Sequence, residues 1–89
     1  MRVDYSKKFI KQFDKAPKKI RDQVTNRIEL FSKHPTDPIL HNHSLVGKFL
    51  GFKSINITGD WRAIYKEAGN QDIQVCIFEF LGTHSLLYK

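Results

Sequence analysis

Phe52-Lys53-Ser54-Ile55-Asn56-Ile57-Thr58-Gly59-Asp60-Trp61-Arg62-Ala63-Ile64-Tyr65-Lys66 is the stretch that decides the fold. Residues 52–57 alternate, with Lys53, Ile55 and Ile57 on one face and Phe52, Ser54 and Asn56 on the other. That is the period of a strand, whose successive side chains point to opposite sides. Thr58-Gly59 predicts a tight turn and residues 60–66 a returning strand. Ala68-Gly69-Asn70-Gln71 turns again, and residues 73–81 are apolar at both parities: Ile73, Val75 and Ile77 on one face, Cys76, Phe78 and Phe80 on the other. A strand of that kind belongs inside a sheet covered on both sides. The expectation is an antiparallel meander of three strands.

N-terminal to this stretch the period is helical. Tyr5, Phe9, Ile10 and Phe13 share one face with lysines between them, and Asp4 or Ser6 can cap the start by accepting an orphaned backbone N–H. Ala16-Pro17 ends this helix and opens a second, since proline suits the first helical turn. Ile20, Val24, Ile28 and Phe31 mark the second helix's apolar face, and Pro35 stops it by pushing His34 out of helical geometry. Residues 35–49, with Pro35, Pro38, His41 and His43, read as a loop. A helical hairpin covering one face of the sheet gives an α+β fold in a single domain, 1–89. A short strand at residues 2–4 and a helical turn at the C-terminus complete the expected order.

Eighty-nine residues bound the chain to one modest core, and 40% hydrophobic with 12% aromatic content argues for a folded protein. Cys76 is the only cysteine, which excludes a disulfide framework and suits a reducing cytosol. No apolar run approaches the roughly 18 to 20 residues that span a bilayer, and the N-terminus lacks the apolar stretch of a signal peptide. A cytoplasmic location with no membrane contact is expected. The net charge of +6 lies entirely in residues 1–34, where ten Lys or Arg face four acids; residues 35–89 hold five of each. A basic half joined to a neutral half suits a polyanion or an acidic protein partner.

The histidines differ in promise. His34 suits a helix C-terminus and His41 a solvated loop, whereas His43 and His84 each neighbour a hydroxyl residue at the predicted sheet edge. Imidazole carries protons near neutral pH. RNA cleavage by a ribose 2′-hydroxyl needs a base for that hydroxyl, an acid for the departing 5′ oxygen and positive charge at the phosphate. His43, Asp60 and His84 are candidates for the proton transfers, Lys48, Lys53 and Arg62 for the charge, and Tyr88 for stacking on a base. The residues alone leave a structural role open, with His84 capping a turn and Asp60 completing the Thr58-Gly59 hairpin. His41-x-His43 with His84 supplies three nitrogens for a metal, but no cysteine or glutamate cluster supports one, and no metal or cofactor is expected. Trp61 is expected to pack against the helices, and Cys76 to be a small buried hydrophobe.

His43-Ser44-Leu45 with Gly47, Gly51-Phe52, residues 57–65 and Gly82-Thr83-His84-Ser85 with Tyr88 together resemble the RelE/ParE superfamily of bacterial toxins, in its YafQ-like branch. The resemblance covers nearly the whole chain and implies the RelE-like microbial RNase fold. It also implies a toxin of a type II toxin–antitoxin module that cuts mRNA in the ribosomal A site without a metal and is neutralised by a small cognate antitoxin. The branch's loop histidine falls on His43, its acid before tryptophan on Asp60, its terminal histidine on His84 and its C-terminal aromatic on Tyr88. Two positions depart: Asn56 stands where the branch often has a histidine, and Phe80 where it often has an arginine. Either Arg62 or Lys53 replaces the missing charge, or turnover is slower, or the mRNA contacts differ. A ParE-like inhibitor of DNA gyrase, and a decayed module that binds only RNA or its antitoxin, are the competing readings.

Overall fold

In the computed structural model, which describes residues 1–88, helices give way to strands where the period of the sequence changes. Strand β1 (Arg2–Tyr5) precedes helices α1 (Lys7–Lys15) and α2 (Lys18–Lys33). Strands β2 (His43–Ser44), β3 (Lys53–Asn56), β4 (Trp61–Gly69) and β5 (Gln74–Thr83) follow, and the one-turn helix α3 (His84–Leu87) closes the described chain. The five strands lie in the order β1-β5-β4-β3-β2. The predicted meander is present, and each of its edges gains a strand: β1 pairs parallel with β5, and β2 pairs antiparallel with β3. The two-residue β2 lies inside the segment expected to be loop; two residues carry no readable period.

The turn after β4 falls where it was expected. Gly69 has φ +96°, and a Cβ there would collide with the Ile73 carbonyl, so only glycine fits. Asn70 Oδ1 then accepts the backbone N–H groups of Asp72 and Ile73 at 2.9 and 3.0 Å.

Ser6 starts α1. Its Oγ accepts the Phe9 N–H at 3.0 Å and donates to the Glu79 carbonyl at 3.0 Å, tying the helix to β5. Ser6→Ala should therefore cost about 1–2 kcal/mol, measurable by urea unfolding. Tyr5, assigned by spacing to the apolar stripe of α1, is instead the last residue of β1 and 45% exposed. Beyond β1, α1 itself lines the free edge of β5, where Gln12 Oε1 accepts the Leu81 N–H at 2.8 Å.

Phe9 of α1 and Val24, Ile28 and Phe31 of α2 bury against Ile55, Ile57, Ala63, Tyr65, Cys76, Phe78 and Leu81 of the sheet side. Trp61 packs against this core, as expected. Phe31 meets Tyr65 and Phe78 edge-on, with ring centroids 4.8 and 5.5 Å apart. Burial pushes the Cys76 thiol above its ordinary pKa, so it stays a neutral hydrophobe.

Simple alternation puts Phe78 and Phe80 on one face, and the structure corrects this. Ile64 pairs with Phe80 and Tyr65 with Phe78, so Glu79 is an extra residue in a β-bulge. The bulge reverses the parity of β5, leaving Phe78 in the helix-side core and moving Phe80 to the other face. There Phe80, Phe49, Phe52 and Tyr88 pack around Leu45, Ile64 and Leu87 in a second, smaller cluster.

Candidate active site

Paired residues in neighbouring strands share a face. His43 pairs with Ser54, Ser54 with Ile64, and Ile64 with Phe80, which makes one row across the sheet. Asn56, Arg62 and Gly82 make the next row. Both rows lie on the face opposite the helices, since their members alternate with the core residues Ile55, Ala63 and Leu81. Among the described residues, the buried Ser54 Oγ and Asn56 Oδ1 on this face have no hydrogen-bond partner.

The Gly82-Thr83-His84 segment turns strand into helix. A Cβ on Gly82 would meet Leu87 Cγ at 3.3 Å and Cδ2 at 3.4 Å, so α3 packs tightly on β5 here and a larger side chain would press on Leu87. Gly82→Val should displace α3 and cost about 1–3 kcal/mol, read by thermal unfolding together with a change in Tyr88 fluorescence. Thr83 Oγ1 caps α3 by accepting the Leu86 N–H at 3.3 Å. His84 thereby becomes the first residue of α3, and its backbone N–H donates to the Asp60 carbonyl at 2.9 Å. That bond fastens the chain end to the β3–β4 hairpin.

Threonines perform the structural tasks that had been open to His84 and Asp60. Thr83 caps the turn, and Thr58 Oγ1 accepts the backbone N–H groups of Asp60 and Trp61 at 3.4 and 3.2 Å. Among the described residues neither the Asp60 carboxylate nor the His84 imidazole has a hydrogen-bond or ion-pair partner. Both residues are exposed. The His84 ring lies 4.6 Å from the Tyr88 ring, centroid to centroid, and Tyr88 in turn sits edge-on to Phe49 at 5.7 Å.

Arg62 is held at the same hairpin. Its Nη1 donates to the carbonyls of Thr58, Gly59 and Trp61 at 3.0, 3.2 and 3.1 Å, and Nη2 donates to that of Gly59 at 3.1 Å. These neutral acceptors orient the guanidinium without cancelling its charge. Lys48 belongs to the helical turn Gly47–Phe49, with Nζ 5.2 Å from the Phe49 ring centroid.

The structure does not bring Lys53 to this face. Lys53 pairs with Tyr65, so it points to the helix side, where its Nζ is 2.6 Å from Glu67 Oε1. Its position one residue before Ser54 makes that inevitable in a strand. His43 shares the face but stands at the far edge, roughly 14 Å from β5 at about 4.8 Å per strand. Its Nδ1 is 2.7 Å from the His41 carbonyl oxygen, and the two imidazole rings are 4.6 Å apart. Among the described residues no three His, Cys, Asp or Glu side chains converge as metal ligands, so the trio His41, His43 and His84 is not assembled.

Lys8 was not picked out by sequence, yet its Nζ lies 5.1 Å from the centroid of the Phe80 ring. Helical spacing marks it only as one more exposed lysine. An apolar groove lined by Val3, Tyr5, Phe9, Ile10, Phe13 and Val24 among others opens elsewhere and contains none of the expected site residues.

A family model described as a bacterial toxin of type II toxin–antitoxin systems, YafQ, matches residues 1–89. Among solved structures, YafQ from E. coli strain BL21(DE3) is similar with a TM-score of 0.80 at 23% identity, covering 100% of both chains. A chain of the E. coli DinJ–YafQ toxin–antitoxin complex gives 0.77 at 24% identity, over 98% of this chain and 96% of that one. A conserved hypothetical protein of Helicobacter pylori gives 0.62 at 30% identity, over 96% of each. No curated protein matches. The two comparisons below 25% identity bear on the fold, which they share from β1 to α3.

Proposed function

The chain belongs to the YafQ family of toxins from type II toxin–antitoxin systems, and on that premise we propose that it is a ribosome-dependent mRNA endonuclease using metal-independent acid–base cleavage. The observation that carries this reading is the juxtaposition of Asp60 and His84. One backbone hydrogen bond clamps the two residues together, and the fold leaves both side chains unused.

The reaction needs a base to take the proton of the ribose 2′-hydroxyl as its oxygen attacks phosphorus. It needs an acid to protonate the 5′ oxygen as the P–O bond breaks, leaving a 2′,3′-cyclic phosphate and a 5′-hydroxyl. Asp60 and His84 supply the two proton carriers at one end of the sheet. The Arg62 guanidinium, fixed beside them, faces the negative charge that builds on the phosphate oxygens. Tyr88, whose ring is tilted against that of His84, holds a splayed base. His43, at the far edge of the same face, meets the RNA further along its path. The lysines of α1 and α2 bind ribosomal RNA phosphates, which supply affinity without reading sequence.

The DinJ–YafQ complex is a toxin bound to its antitoxin. A cognate antitoxin is likewise proposed here, an acidic protein drawn to a surface of net charge +6. No helix among the described residues is long and apolar enough to cross a membrane.

Phe80 at a position where the branch often carries arginine favours the alternative of a ParE-like gyrase inhibitor. The purified chain separates the two: the nuclease reading predicts cleaved mRNA in a translating extract and undisturbed supercoiling by gyrase. Blocked supercoiling with intact mRNA would establish the alternative.

A further inference from the structure

We propose that the Lys8 ammonium is a phosphate-binding cation of this site, seated on the Phe80 ring and delivered by α1 instead of by an arginine in the strand. The inference rests on the RNA-cleavage reading and identifies which group contacts the backbone beside the cut.

Three observations carry it. The first is position. Ser6 and Gln12 bond β5 at Glu79 and Leu81, on either side of Phe80, so the segment of α1 that bears Lys8 is anchored across that residue. The side chain then reaches round the free edge of β5 and places Nζ 5.1 Å from the ring centroid. The negative face of the ring holds the ammonium there, a contact of about 0.5–1 kcal/mol at an exposed site. Phe80 thus acts as a seat for a cation.

The second is charge. Among the described residues no carboxylate pairs with Lys8, although five other cations have acidic partners. Of the expected replacements, Lys53 lies on the other face against Glu67, and Arg62 is bound to the carbonyls at the hairpin end. Lys8 thus stands directly on the residue at the vacated arginine position, with no carboxylate partner among the described residues.

The third is distance. Four residue steps along β5 and into α3 separate Phe80 from His84, roughly 13 Å at about 3.3 Å per step. Lys8 accordingly touches a phosphate flanking the scissile one, and its effect falls on binding before it falls on chemistry.

The test uses a 2′-O-methyl RNA oligonucleotide, which lacks the attacking hydroxyl, with binding followed by fluorescence anisotropy across a salt series. Lys8→Gln should weaken binding about threefold to tenfold at low salt and reduce the slope of log K against log salt by about 0.7, one single-strand phosphate contact. Lys8→Arg should keep the wild-type slope. Phe80→Arg added to Lys8→Gln should restore it. Arg2→Gln removes one positive charge from exposed β1, which pairs with β5 at Val75, away from Phe80, and should leave the slope unchanged. An unchanged slope in Lys8→Gln, an equal loss in Arg2→Gln, or no salt-dependent binding by the wild type would each overturn the proposal. Cleavage is scored separately, so binding as predicted with mRNA left intact would refute the nuclease reading and leave the phosphate site standing.

Discussion

Replacing His84 by alanine should lower mRNA cleavage by about 10²–10⁴-fold, the range lost with a positioned proton carrier, and should relieve growth arrest on induced expression. The fold should survive. The imidazole is exposed, and among the described residues its ring partner is Tyr88. The backbone N–H that bonds Asp60 and the threonine that caps α3 both persist in the variant. Thermal unfolding within a few degrees of wild type, about 1 kcal/mol or less, is therefore the companion result. Full toxicity with a native melting curve would remove His84 from the chemistry. Asp60→Asn, which keeps shape and removes charge, should show a loss of the same order.

The largest effect on stability is expected at Phe31. Its side chain is 1% exposed and bridges α2 to β4 and β5 through edge-on contacts with Tyr65 and Phe78. Phe31→Ala removes the ring and leaves a cavity, at a cost of about 3–5 kcal/mol. A chain of this length has roughly 4–13 kcal/mol in total, so the variant should melt some 15–30 °C lower or fail to fold at 37 °C. The aromatic cluster on the other face offers the comparison. Phe49 is only half-buried there, and Phe49→Ala should cost less in unfolding while loosening Tyr88. A smaller loss for Phe31→Ala than for Phe49→Ala would show that the helix-side core is not the main source of stability.

Much of the fold was legible because its long elements bury one face and repeat at a clean period. Ile20, Val24, Ile28 and Phe31 could mark only a helix, and residues 52–57 only a strand. The bulge at Glu79 was not legible, since one inserted residue leaves alternation intact on each side and merely reverses its sense. Its consequence is functional, because it moves Phe80 from the core to the face of the candidate site. Tyr5 was misplaced for a related reason: strand and helix meet at Ser6, and an apolar residue one turn before Phe9 fits either pattern.

The site was legible in part. His84, Asp60 and Tyr88 stand out by residue type and resemblance, and the structure brings them together at the hairpin and α3. Lys53 and Lys8 show what residue type cannot convey. Lys53 sits beside the site in sequence and faces away from it, by the parity of β3. Lys8 lies far away in sequence and comes close through α1, which lines an edge of β5 that the meander leaves open. Contacts between a helix and a strand end depend on packing that no local period encodes.

As proposed, this toxin cuts mRNA while it is being translated. Primer extension on one defined message, in a translating extract and again with the message free in buffer, tests it most directly. Discrete 3′ truncations within the reading frame are expected only in the translating reaction, and are lost when His84→Ala replaces the wild type. Uncut message in the translating reaction, or equal cleavage of the free RNA, would contradict it.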